Sequence, residues 1–173
     1  MGLSVESFAM LIYIVRHAWA EDPDSQRWPN DELRPLTDKG AKRFRQFVRA
    51  LARQGFSPQL VVTSPLVRCQ QTADVIAEEV PGRPTVVPRP ELAPGSDAAG
   101  LVAWTAERSK GLDQIAWVGH APDVGQLAAR LIGEPCAAIH FSKGAIGAIE
   151  FDGAPREGRG ELLWLVTAKL LGV

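Results

Sequence analysis

Three short segments carry side chains able to handle a phosphate group. Arg16 and His17 stand side by side at the end of an apolar run, residues 11–15. Ser64 closes a second run, residues 60–63, and Arg68 follows one helical turn later. Gly119 and His120 close a third, residues 115–118. Two guanidiniums offer forked donors that match the oxygens of a tetrahedral phosphate. Neutral imidazole is a competent nucleophile toward phosphorus. A second imidazole, if protonated, donates a hydrogen bond to a developing oxyanion. Together these residue types point to phosphoryl transfer through a covalent phosphohistidine.

Such chemistry needs a scaffold that gathers residues from distant parts of the chain. The run at 11–15 is continuously apolar rather than alternating, as in a strand covered on both faces. Residues 18–35 read as a long polar, acidic, proline-bearing loop, a length that in compact domains usually marks function or disorder. Thr37 reads as an N-cap, and Phe44, Phe47, Val48 and Leu51 recur at helical spacing up to Gln54-Gly55. Strands are expected at 60–63, 85–87, 115–118, 145–151 and 162–166. Helices are expected at 66–79, 97–109 and 122–132, the last opening on a proline whose missing N–H costs nothing there.

Strands alternating with helices predict an α/β fold, a three-layer α/β/α arrangement with a mostly parallel sheet and an antiparallel pair at one edge. In such sheets ligands sit outside the carboxyl ends of the strands. Arg16, His17, Arg68 and His120 would then share one rim. The starts of the helices near Pro65-Leu66 and Ala121-Pro122 would add positive dipole ends there.

Bulk properties narrow the field. The chain has 173 residues, 46% hydrophobic and 23% charged, which suits one globular domain with a real core. The expected domain spans 10–173, with residues 1–9 as a flexible extension. A net charge of −1 gives no argument for a nucleic-acid or lipid surface, and neither partner is expected. No apolar run is long enough to span a bilayer, and the leader lacks the pattern of a signal peptide. Two cysteines, Cys69 and Cys136, make no disulfide framework. A reducing cytoplasm is the expected compartment. The oligomeric state stays open, with a monomer favoured. No metal or other cofactor is expected, because no His or Cys pair has ligand spacing. Neither cysteine opens a C-x₅-R loop, and no P-loop or G-x-G-x-x-G occurs.

The segments also carry a resemblance. "VRHAWAE" is similar to the RHG/RHA signature of the histidine phosphatase superfamily. "TSPLVRCQQTADVI" resembles its S-P-x-x-R-x-x-Q-T-A segment, "VGHAPDV" its G-H-x-P motif, and "RPLTDKGAKRFRQF" its L-T-x-x-G segment. The resemblance covers about 11–166 and implies a phosphoglycerate mutase-like fold. By position it implies that His17 takes the phosphoryl group and that Arg16 and Arg68 clamp it. His120 would hydrogen-bond it, and Gly40 and Gln71 would give structural support. Ala18 stands where glycine is commoner, as in the SixA-type phosphohistidine phosphatases. The "FSKGAIGAIEF" stretch and the lack of an insertion between Val87 and Asp97 resemble that group as well.

Members that act on small phosphate esters carry a carboxylate general acid after the third strand. Here that segment reads "RPELAPGSDA". Glu91 is the nearest candidate, Pro94 occupies the expected acidic place, and Asp97 reads as an N-cap. Without an acid, an alkoxide leaving group loses roughly 10²–10⁴-fold in rate. A phosphoramidate leaves more easily, because solvent can protonate its nitrogen. The first expectation is therefore a phosphatase that removes phosphate from phosphohistidine on a protein. The rivals are a small-molecule phosphomonoesterase using Glu91 and a phospho-binding module without turnover.

Blander roles stand beside these. A lone histidine is more often a satisfied core residue, and His140, with no motif around it, is expected to be structural or exposed. Asp22, Asp24, Asp31 and Glu32 read as a solvated acidic loop. Trp19, a candidate for substrate contact, and Trp28 either rim the pocket or pack on the body. Trp104, Trp117 and Trp164 are expected in the core.

Overall fold

In the computed structural model, which describes residues 9–108 and 110–173, the apolar run becomes β1 (Ala9–Arg16). Its alternate residues face opposite ways. Tyr13 and Val15 enter one hydrophobic cluster, and Ile12 and Ile14 enter the other. That double burial explains why the run is continuous rather than alternating.

The other strands are β2 (Leu60–Thr63), β3 (Thr85–Pro88), β4 (Gln114–Gly119), β5 (Ile146–Asp152) and β6 (Glu161–Val166). They form one sheet in the order β3-β2-β4-β1-β5-β6. The first four strands run parallel. β5 pairs antiparallel with both β1 and β6, so the reversed strand lies one place in from the edge.

The helices are α1 (Asp38–Ala52), α2 (Val67–Glu79), α3 (Ala98–Arg108) and α4 (Asp123–Leu131). Phe44 and Phe47 of α1 and Ile76 of α2 pack on one face, while Leu101 of α3 and Leu127 of α4 pack on the other. The architecture is three layers. The chain leaves β1 toward α1 and leaves the neighbouring parallel β4 toward α4, on opposite faces. That divergence makes a crevice at the carboxyl ends of the two strands.

Register finishes the assembly. Arg16 is level with Gly119, and Thr63 is level with Val118. The residues that follow, His17, Ser64 and His120, therefore emerge side by side. Thr37 caps α1, its hydroxyl accepting the Gly40 N–H at 2.9 Å. Asp97 caps α3 through the Gly100 N–H at 3.0 Å.

Some expectations need correction. β1 begins at Ala9, so the nine-residue extension is at least one residue too long; residues 1–8 lie outside the described residues, as does Ser109. The loop 18–35 is not structureless. Ala20 bridges to Leu36, and Asp31–Leu33 form a 3-10 turn capped by Asn30. Trp117 is fully buried, but Trp104 and Trp164 are only partly so. Trp104 lies beneath the guanidiniums of Arg89 and Arg108, half shielded rather than interior. No helix among the described residues is long and apolar enough to cross a membrane.

Candidate active site

Arg16, His17, Arg68 and His120 line one cleft of about 460 Å³ at the strand ends. The two imidazole rings lie 5.4 Å apart between centroids. Both histidines are nearly buried, at 8% and 5% exposure for His17 and His120.

The backbone around His17 is held on three sides. Its N–H donates to the Gly119 oxygen, its carbonyl accepts from Gly144, and the next N–H, of Ala18, donates to the Thr72 hydroxyl. The ring is held as well. Nδ1 lies 2.8 Å from the Ala18 carbonyl oxygen. A carbonyl oxygen only accepts, so Nδ1 carries the hydrogen and Nε2 keeps its lone pair. Burial pushes the His17 pKa down to about 4, and the cations Arg68, Arg16 and Arg34 push the same way. The ring is neutral near pH 7, with one nucleophilic nitrogen.

His120 is lowered to about 3, first by burial and then by Arg68 and His17. Its Nε2 lies 2.8 Å from the Ser64 hydroxyl oxygen. Cys69 packs below, its sulfur 3.4 Å from the same nitrogen. Burial raises the Cys69 thiol to about 12, so it stays protonated and is no nucleophile.

The arginines are aimed by main-chain oxygens. Arg16 Nη1 donates to the Phe141 carbonyl at 2.8 Å, and Arg68 Nη1 to the Asp31 carbonyl at 2.8 Å. Arg68 Nη2 also meets the Asp31 carboxylate at 3.1 Å. In both arginines the Nε–H is buried with no hydrogen-bond partner among the described residues. Fixed, partly unsatisfied guanidiniums beside a neutral imidazole can receive a tetrahedral oxyanion.

Two candidates are not brought in. Glu91 sits in a 3-10 turn, Pro90–Leu92, where its carboxylate is held by Arg89, with Arg89 Nε donating to Oε2 at 3.0 Å. It is not on the cleft wall, although Pro94 and Gly95 are. Trp19 is also off the wall: its ring packs on the α1 side with the Arg43 guanidinium 4.4 Å above it. His140 is exposed.

The supporting residues are legible. A Cβ on Gly40 would lie 2.3 Å from the Trp19 carbonyl oxygen, so only glycine lets α1 start against the segment after His17. Gln71 accepts the Leu36 N–H at 2.7 Å and ties the long loop to α2.

Sequence reasoning missed four charged cleft residues: Arg34, Lys143, Glu21 and Asp123. Arg34 donates to the Glu21 carbonyl at 2.7 Å and pairs with Asp31 at 2.7 Å. Asp31 is therefore a brace between Arg34 and Arg68 and not merely part of a solvated loop. Arg34 stands in "RPLT", Lys143 in "FSKG" and Asp123 in "GHAPD", so each lay inside a segment already recognised by its other residues. Glu21 pairs with Arg27 at 3.0 Å, and Asp123 accepts the Gly95 N–H at 2.9 Å.

Comparison with known proteins agrees with this geometry. Residues 12–94 match the family model of the histidine phosphatase superfamily (branch 1). An uncharacterized protein of Picosynechococcus sp. is 33% identical over 124 residues, 69% of this chain and 71% of that one. Phosphohistidine phosphatase SixA of Escherichia coli (strain K12) is 28% identical over 158 residues, 90% of this chain and 92% of that protein. The structure of the protein histidine phosphatase SixA complexed with tungstate superposes with a TM-score of 0.81 at 27% identity, covering 94% of this chain and 99% of that one. The alpha-ribazole phosphatase of Shigella flexneri superposes at 0.64 and 20% identity over 92% of this chain and 97% of that one, a likeness of fold alone.

Proposed function

This chain belongs to the histidine phosphatase superfamily, and from that premise we propose that it removes phosphate from phosphohistidine displayed on a protein. The observation that carries this reading is the Glu91–Arg89 pair. It holds the candidate general acid off the cleft wall, while His17 on that wall already has a free ring nitrogen.

The reaction runs in two transfers. The Nε2 lone pair of His17 attacks phosphorus, and the bond from phosphorus to the substrate's ring nitrogen breaks. That nitrogen leaves with a proton from solvent. Arg16 and Arg68 hold the equatorial oxygens, and His120 donates to one of them, so developing charge meets fixed donors. Water then attacks phospho-His17. The P–Nε2 bond breaks, phosphate leaves, water's proton passes to phosphate or solvent, and the neutral ring returns with Nδ1 still on the Ala18 carbonyl.

Three further facts bear on the phosphate clamp and on the substrate. Only a short segment separates β3 from α3, with no insertion to close over a small metabolite. The matching SixA structure holds tungstate, itself a tetrahedral oxyanion, which suits the two-arginine clamp proposed here. The cleft carboxylates Glu21 and Asp123 are engaged as acceptors, by Arg27 and by the Gly95 N–H.

The test is phosphate release from a phosphohistidine peptide set against a panel of phosphate monoesters. Turnover of the peptide, weak turnover of the esters and loss of both in His17→Ala are expected. Fast turnover of esters with the peptide untouched would overturn the reading.

A further inference from the structure

The Ser64 hydroxyl lies 2.8 Å from His120 Nε2, and Ser64 is wholly buried. A buried hydroxyl proton must be donated somewhere. The Ser64 oxygen already accepts the Leu66 N–H at 3.3 Å, and Cys69 directs its thiol to the Gly119 carbonyl at 3.6 Å. Two acceptors then lie by the Ser64 O–H, His120 Nε2 and the Cys69 sulfur, and the imidazole nitrogen at 2.8 Å is the stronger of the two. Among the described residues the other ring nitrogen, Nδ1, has the Cys69 sulfur as its hydrogen-bonding neighbour, at 3.9 Å.

We propose that Ser64 is a positioning residue that fixes His120 as the Nδ1–H tautomer, so that a neutral ring still donates to the transferring phosphoryl group. The tautomer matters because the ring enters the cycle uncharged. Burial and the neighbouring cations Arg68 and Arg34 oppose its protonation, with His17 on the same side and Asp31 as the opposing charge. A neutral imidazole has one N–H. Placed on Nε2, that hydrogen would be spent on Ser64, and a bare Nδ1 lone pair would meet the anionic oxygens. Donation from Ser64 places it on Nδ1. The same rule, a neighbour fixing the proton on one nitrogen, sets His17 in reverse: there Nδ1 gives its hydrogen to Ala18, and Nε2 becomes the nucleophile.

The donor role rests on the phosphatase reading; the tautomer does not. The chain has three histidines, so long-range ¹H–¹⁵N spectra of the ligand-free protein resolve each ring, assigned with His120→Gln. In the wild type, His120 is expected to show a protonated Nδ1 and a bare Nε2. In Ser64→Ala the hydrogen should move at least partly to Nε2, and phosphoenzyme formation should slow about 10²-fold, the usual worth of one donor. Ser64→Thr, which keeps the hydroxyl, should restore both. A wild-type His120 protonated on Nε2 overturns the proposal without any variant having to fold. So does a tautomer unmoved in a folded Ser64→Ala. A wild type that shows the expected tautomer yet turns over neither phosphohistidine nor ester overturns the phosphatase reading, and the donor role with it.

Discussion

His17 Nδ1 lies 2.8 Å from the carbonyl oxygen of Ala18, its own neighbour in the chain. One residue of backbone thus decides which nitrogen of the proposed nucleophile is free. The residue whose carbonyl aims the ring is itself fastened to α2, the Ala18 N–H donating to the Thr72 hydroxyl at 3.0 Å. Thr72→Val removes that fastening while keeping the shape. We expect kcat to fall by roughly 10-fold or more, since a small misplacement of a reacting group is costly. A variant with wild-type kcat would show that the α2 tether is dispensable.

Arg68→Ala should cost on the order of 10²–10³-fold in kcat/KM, the scale of losing one charged donor to the transition state. Arg68→Lys should restore only a little of this, because an ammonium cannot both hold the Asp31 carbonyl and present a fork to phosphate. Steady-state kinetics of the two variants check it; a lysine variant at wild-type rate contradicts the fork.

The pH dependence follows from the depressed histidines. His17 is lowered to about 4, so the free enzyme keeps its nucleophile unprotonated well below pH 6. The acid limb of kcat/KM should fall near pH 4, not near the ordinary histidine value of about 6.5. Stability carries the same sign. Unfolded histidine takes a proton as pH drops below about 6.5 while the folded ring refuses it. Stability is therefore lost progressively from there down to about pH 4, on the order of 3 kcal/mol for His17. Urea unfolding at pH 7 and pH 5 should show the loss, and His17→Asn should shrink it.

Glu91→Gln should leave phosphohistidine turnover within about twofold, because its carboxylate is tied to Arg89 and stands off the cleft. A drop of 100-fold with a leaving-group dependence would restore Glu91 as an acid.

Gly40→Ala should destabilise by about 1–3 kcal/mol, the cost of forcing a Cβ against backbone. The clash is with the Trp19 carbonyl at 2.3 Å, which neither α1 nor the segment after His17 can readily move. A thermal midpoint unchanged from wild type would argue against that close approach.

The residues set at strand ends were legible because periodicity and register do the work. Apolar runs mark the strands, and parallel pairing levels Arg16 with Gly119, so His17 and His120 must meet. What spacing does not encode is which long side chains find each other across loops. Asp31 and Arg68 are 37 positions apart, and nothing periodic connects them. Glu91 failed for a related reason. Its place in the chain suits an acid, but a neighbour two residues away, Arg89, captures the carboxylate. Arg34 was within reach, since "RPLT" opens a recognised segment, but a loop arginine gives no sign of burial before the loop is folded.

The central claim is that phosphate passes through His17. Rapid quenching of the enzyme with ³²P-labelled phosphohistidine peptide tests it directly. A transient label is expected that survives alkali, is lost in acid, maps to the peptide containing His17 and is absent from His17→Ala. Phosphate release with no such label, or a label on any other residue, would contradict it.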